Sequence, residues 1–300
     1  MKLALVLLLS LASLLAQTAP APADSSDPIK QARKLNTEGK QDEALALYRK
    51  VLQSDPNSYE AHLGVGIALD LKGQYDEARR EFAKAIAVAP PERKSQAVRN
   101  MAFSYAFERK PAEAARYEQP LYDDAIAKEN FFAAGEVANE LARIYLESGD
   151  LENALAWYQK GREAGLRQPN LTPAQKDLWT FRWLSAQGRI EARRGRCSEA
   201  RQDVDSAKTI IERGANPEQA PFLPYFSGYV ALYCGDTKTA IADLQKADQR
   251  DPFILVLLAQ AYEESGDHTQ AVELYRKVLT INSHNPTNAF ARPVAKRKLS

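Results

Sequence analysis

Apolar and polar positions along this chain recur in short blocks, each opened by a glycine. "NTEGKQDEALALYRKVLQSDP" ends at Pro56, "DLKGQYDEARREFAKAIAVAP" at Pro90 and "LYCGDTKTAIADLQKADQRDP" at Pro252. "LESGDLENALAWYQKGREAG" (146–165), "ARRGRCSEARQDVDSAKTI" (192–210) and "EESGDHTQAVELYRKVLTIN" (263–282) follow the same plan. In each, an Ala stands five residues after the Gly, at Ala44, Ala78, Ala154, Ala200, Ala240 and Ala271. Four residues later comes Tyr48, Phe82, Tyr158, Val204, Leu244 or Tyr275. The spacing predicts helical hairpins. A Gly takes the left-handed turn that ends one helix, and a polar residue starts the next. The Ala marks a close crossing, and the larger residue one turn on fills the gap beside it. Pro56, Pro90 and Pro252 stop the second helix.

These residues resemble the tetratricopeptide repeat family. Its first-helix positions also match. They hold Leu63, Gly64, Val65, Gly66 and Leu69 in one unit, Leu141, Ala142 and Tyr145 in another, and Leu258, Ala259 and Tyr262 in a third. The resemblance implies an all-α, right-handed superhelical solenoid of helix-turn-helix pairs. Seven units are expected, at 25–58, 59–92, 95–128, 135–168, 181–214, 221–251 and 252–285. The third has Arg109 in place of the turn Gly. The fifth has Gln187 and Glu191 where apolar residues are usual. Gly149 to Gly195 spans 46 residues rather than the 34 from Gly39 to Gly73. Thr172-Pro173 reads as a cap and first helical residue, so longer helices or an inserted loop belong there. Trp179 and Trp183 in that stretch read as core anchors.

Residues 1–23 differ from the rest. Lys2 precedes an apolar run from Leu3 to Ala16, then "QTAPAPADSSD". This reads as a signal peptide and short linker, with cleavage after Ala16 or Ala23. The run is shorter than the ~20 residues a spanning helix needs. "FILVLLAQAY" (253–262) is read as a buried first helix rather than a membrane span. The expected division is 1–23 signal segment, 24–285 solenoid and 286–300 C-terminal cap. That cap carries Arg292, Lys296, Arg297 and Lys298 and reads as a solvated helix closing the stack, or as a seat for an anionic partner.

Lys plus Arg number 40 against 39 Asp plus Glu. That balance supplies no field to gather nucleic acid. His62, His268 and His284 form no metal-ligand spacing. "GVGIALDLKG" lacks the phosphate-loop pattern. "NLT" at 170–172 is a glycosylation sequon whose use depends on the host. No cofactor and no catalysis are expected.

In a stacked hairpin array, Cys197 at the start of a second helix and Cys234 at the end of the next first helix share one edge. In an exported chain they pair as a disulfide. The alternative is two thiols packed as small apolar groups. The resemblance puts first helices on the concave side and assigns groove positions to Arg99, Phe103, Asn139, Arg143, Arg182, Arg189, Phe222, Tyr225, Tyr229 and Gln260. Arg99, Arg143, Arg182 and Arg189 would form a basic strip, and Phe222, Tyr225 and Tyr229 an aromatic patch beside it. Such a wall suits a segment of another protein with carboxylates and a few apolar residues. Otherwise, the arginines pair with nearby glutamates and the aromatics pack into the next unit. Some family members clamp a C-terminal carboxylate with Lys and Asn in their first units. Ile29 and Arg33 stand there instead. The expected function is a non-catalytic interaction scaffold of the cell envelope, periplasmic or extracellular. A cell-wall or carbohydrate binding module using the aromatic patch is the alternative.

Overall fold

The computed structural model describes residues 27–300. The expected signal segment and its cleavage sites lie outside them. The described residues form helices and no strand. Seven hairpins follow one another: α1 (Pro28–Thr37) with α2 (Gln41–Ser54), α3 (Tyr59–Lys72) with α4 (Tyr75–Val88), and α5 (Pro91–Phe107) with α6 (Pro111–Ala127). Next come α7 (Phe131–Ser148) with α8 (Leu151–Leu166), and α9 (Pro173–Arg193) with α10 (Cys197–Glu212). A 3-10 turn (Pro217–Phe222) leads to α11 (Leu223–Tyr233) with α12 (Thr237–Leu244), then α13 (Pro252–Glu264) with α14 (His268–Thr280). A single helix, α15 (Pro286–Leu299), ends the series. Each helix packs on its chain neighbour, which makes the solenoid.

The repeat chemistry acts where the pattern put it. Ala44, Ala78, Ala154, Ala200 and Ala240 have no exposed surface, and Ala271 almost none. Gly73 closes α3 at φ 91°. Arg109 takes the same left-handed turn at φ 55°. A side chain with a Cβ is strained there by roughly 1–2 kcal/mol. In the long middle unit, Thr172 forms a capping box with Gln175 ahead of Pro173. Trp179 is fully buried. A Cβ added to Gly135 or Gly165 would overlap its ring, so these two small residues make its slot between α7 and α8.

Cys197 and Cys234 are joined, with S–S 2.13 Å and Cα–Cα 5.7 Å. The bond ties the start of α10 to the end of α11. Of the two states left open by the sequence, bonded or two packed thiols, the structure holds the disulfide.

The tail is not a solvated cap, nor is its charge turned outward as a whole. Helix α15 packs against α13 and α14 and, far back along the chain, against α5 and α7. Ala289, Phe290, Ala291, Val294 and Ala295 are buried in one apolar cluster with Leu71, Ala102, Phe107 and most of α13. The bases inside it serve carbonyls. Arg292 donates to Leu71 O at 2.9 Å, Leu279 O at 3.1 Å and Ile281 O at 3.2 Å. Lys296 donates to Leu71 O and Lys72 O. These are the unfilled acceptors at the C-terminal ends of α3 and α14, where cations are favoured. Ahead of α15, His284 donates to or accepts from Asp70 at 2.8 Å, and Asp70 also accepts from Ser104 Oγ. Burial pushes the Asp70 carboxyl up, and His284 and Ser104 offset part of that rise. Asn282 reaches Gln41 and Thr37 O. The segment from Asn282 through α15 therefore closes the stack from the inside.

Candidate binding cavities on the inner face

First helices supply most of the inner wall, and the closing segment splits it. Two cavities result, of about 550 Å³ and 750 Å³. Arg99, Glu140, Asn285 and Pro286 belong to both walls.

The first cavity gathers Arg99, Asn139, Arg143, Arg182, Arg189, Phe222 and Tyr225 of the expected positions. They come from α5, α7, α9, the 3-10 turn and α11. The four arginines are not equivalent. Arg99 makes a two-pronged bond to Glu140 at 2.8 and 2.6 Å. Arg182 pairs with Glu136 and lies 5.0 Å over the Trp179 ring. Arg189 is 6% exposed. It donates to Ser185 O at 2.9 Å and to the Tyr225 and Tyr158 hydroxyls at 3.1 Å each. Arg143 is held by rings instead: Tyr225 at 5.7 Å, Phe253 at 5.4 Å and Phe290 at 5.9 Å. Its Nε is buried without a partner.

Three expected positions do not face this cavity. Tyr229 is fully buried, its ring tilted against that of Tyr233 with centroids 4.6 Å apart. Burial pushes its hydroxyl well up. Phe103 is 7% exposed and lies in the second cavity, its ring 6.1 Å from His284. Gln260 lines neither cavity. Tyr229 packs inward among Tyr225, Tyr233 and Arg189, while Phe103 and Gln260 lie on α5 and α13, the helices against which α15 packs. Phe222 does reach the surface, 55% exposed, but from the 3-10 turn rather than from a first helix.

Sequence reasoning missed Glu136, Glu140, Tyr158 and Phe181 in this wall. A signal existed for the two acids. Glu136, Asn139, Glu140 and Arg143 share one helical face by spacing. Nothing in the sequence points the Tyr158 hydroxyl at Arg189. Behind the wall, burial and the neighbouring Glu140 carboxylate push Glu118 well above the carboxylate range.

The second cavity contains Arg33, Tyr48, Tyr59, Arg93 and His284. Arg93 lies 5.9 Å over the Tyr59 ring and 3.5 Å from Glu60. His62, placed by sequence at a packing position, is buried between Glu81 at 2.6 Å and Pro56 O at 2.9 Å.

Sequence profiles described as tetratricopeptide repeat match residues 35–101, residues 135–161 and 254–285, and residues 8–58. The chain belongs to the tetratricopeptide repeat family. No curated protein matches the sequence significantly. Among solved structures, the apo form of RapI is similar at TM-score 0.55 and 12% identity, over 91% of this chain and 97% of that one. A tetratricopeptide repeat protein from Parabacteroides merdae is similar at TM-score 0.50 and 14% identity, over 91% and 96%. A Rap protein complexed with competence and sporulation factor is similar at TM-score 0.50 and 14% identity, over 85% and 73%. These likenesses show the fold. The tetratricopeptide repeat fold supports a protein–protein interaction scaffold. No described helix is long and apolar enough to cross a membrane.

Proposed function

We propose that this chain is an exported, non-catalytic scaffold of the cell envelope that holds a segment of another protein at its inner face. The observation that carries this reading is the first cavity. Rigid first helices present arginines and aromatic rings there, with Phe222 exposed at the mouth. Arg and aromatic side chains on a preformed wall anchor interfaces. The bonded Cys197–Cys234 pair suits an oxidising compartment, as does the basic-then-apolar start of the sequence. The sugar-stacking alternative loses its main support, because Tyr229 is buried and only Phe222 and Tyr225 are left to stack.

The test is cross-linked affinity capture of the tagged chain from its native envelope, beside a Phe222→Ser/Arg182→Glu variant. Both side chains reach the surface, so the variant should fold. One protein enriched with the natural chain and lost with the variant is the expected result. Equal captures from both would overturn the assignment of the mouth.

A further inference from the structure

Charge in the first cavity does not balance. Its wall holds Arg99, Arg143, Arg182 and Arg189 against Glu136 and Glu140. The two glutamates are already engaged by Arg99 and Arg182. Arg143 and Arg189 have no carboxylate within 4 Å among the described residues. The acids that act on Arg143 from beyond that range are committed elsewhere: Glu147 faces Arg193 at 3.7 Å, and Asp251 caps α13. Arg189 spends three donors on one carbonyl and two hydroxyls. Arg143 donates no hydrogen bond to the described protein atoms and keeps its full set of guanidinium donors.

Such an arrangement is unfavourable for stability alone. A buried cation without a counter-charge is among the costlier features of a fold. Arg143 keeps its donor edges free, and Arg189 keeps one N–H on each Nη. Those edges match the two oxygens of a carboxylate. Beside them stand Tyr158, Phe181, Tyr225 and the exposed Phe222, which would take an apolar group attached to that carboxylate. The volume of about 550 Å³ falls in the range of small-ligand sites. The shape limits what can enter. Asn285, Pro286 and Thr287 form one wall, and the first two also border the second cavity. A strand running along the whole inner face would have to pass through this closing segment.

We propose that Arg143 and Arg189 form a carboxylate-binding site that accepts the free end of a ligand, with an adjacent apolar or aromatic group against Phe222 and Tyr225. This rests on reading the inner face as the binding side, and it names the chemistry recognised there. The carboxylate can belong to a chain terminus or to a small organic acid.

The experiment is calorimetric titration of the purified full chain with three probes at one ionic strength: N-acetylphenylalanine, its amide, and the peptide acetyl-Gly-Ser-Gly-Ser-Leu-Phe with a free carboxylate. The acids should bind at least ~10-fold more tightly than the amide, because the charge-assisted bonds are lost with it. Arg143→Gln should remove that preference, and Arg189→Lys, which keeps the charge but not the fork, should weaken it. Arg250→Gln, on an exposed arginine paired with Asp248, should leave it unchanged. Peptide binding ~10-fold tighter than the single amino acid assigns the site to chain termini, and equal binding assigns it to small acids. Equal affinity for acid and amide, an unchanged preference in Arg143→Gln, or no binding of any probe at millimolar concentration overturns the proposal. Because Arg143→Gln removes an unpaired cation, it should melt no lower than the natural chain. If the probes fail while envelope capture still depends on Phe222 and Arg182, the pocket falls and the scaffold stands. If capture fails while the probes bind, the reverse holds.

Discussion

Two connections hold this stack together beyond neighbour-to-neighbour packing, and they work at different ranges. The disulfide joins adjacent units, its cysteines 37 positions apart in sequence. The closing segment joins α14 and α15 to α3 and α5, with His284 and Asp70 214 positions apart in sequence. The disulfide is covalent and acts mainly on the unfolded chain. The closure is packing, carbonyl capping and one buried pair, all in the folded state. An open solenoid is stabilised by the sum of its neighbour contacts. Here the long-range contact makes the second and third hairpins share a core with the last one.

The largest expected effect breaks the closure. Phe290 is buried in α15 against Phe253, with ring centroids 5.8 Å apart. Phe290→Ala should remove about 3–5 kcal/mol of stability, the usual loss for a buried Phe. Denaturant unfolding gives the size. Hydrogen exchange gives the reach: protection should fall in α3 and α5 as well as in α13. Loss confined to α13–α15 would mean that the closure does not couple the two ends.

Opening the disulfide by Cys197→Ala/Cys234→Ala should cost somewhat less, roughly 3–4 kcal/mol on the chain-entropy account. Its exchange footprint should stay at α10 and α11. A footprint as wide as that of Phe290→Ala would erase the distinction between local staple and long-range closure.

The smallest expected effect is a gain, and it lies on the stapled side. Asp203 in α10 lies against Gly188 and beside Glu191. Burial and the Glu191 charge push its carboxyl up to about 6. The folded chain therefore holds this proton more tightly than the unfolded chain, whose Asp titrates near 3.9. Stability should fall as pH rises between those values, with the full penalty present above about pH 6. Asp203 is half-buried, so solvent screening reduces the penalty to on the order of 1 kcal/mol. Asp203→Asn should add that amount near pH 7.5 and almost nothing near pH 4, as urea unfolding at the two pH values would show. The same gain at both would assign it to packing rather than charge.

The hairpins were legible because their signals are local. Gly73, Ala78 and Phe82 fall within ten residues of sequence, and each has a single conformational job. Even the weak third turn kept its geometry, with Arg109 accepting the strain that Gly avoids. The tail was misread for a physical reason. Arg292 and Lys296 look like a solvated face, but long basic side chains can bury their stems and bring their charge to backbone acceptors. The acceptors at Leu71 and Lys72 lie more than 200 residues away, and no local pattern announces them. The inner wall was half legible. Periodicity found which residues of α5, α7 and α9 point inward. It could not show that Arg99 and Arg182 meet glutamates while Arg143 and Arg189 do not. Nor could it show that Tyr229 would turn into the core or that His284 would sit against Phe103.

The pair between Asp70 and His284 also has a temporal meaning. Hairpin stacks can fold from one end as the chain emerges, each unit completing on its predecessor. In this chain, Asp70, Ser104 and the carbonyl end of α3 wait for residues 284–296. The early hairpins must pass through synthesis, and any transport, with a polar cluster and an apolar face unfinished. The last helix then acts as a completion check. A chain interrupted before it would carry most of its hairpins yet leave the early ones loose enough for proteolysis.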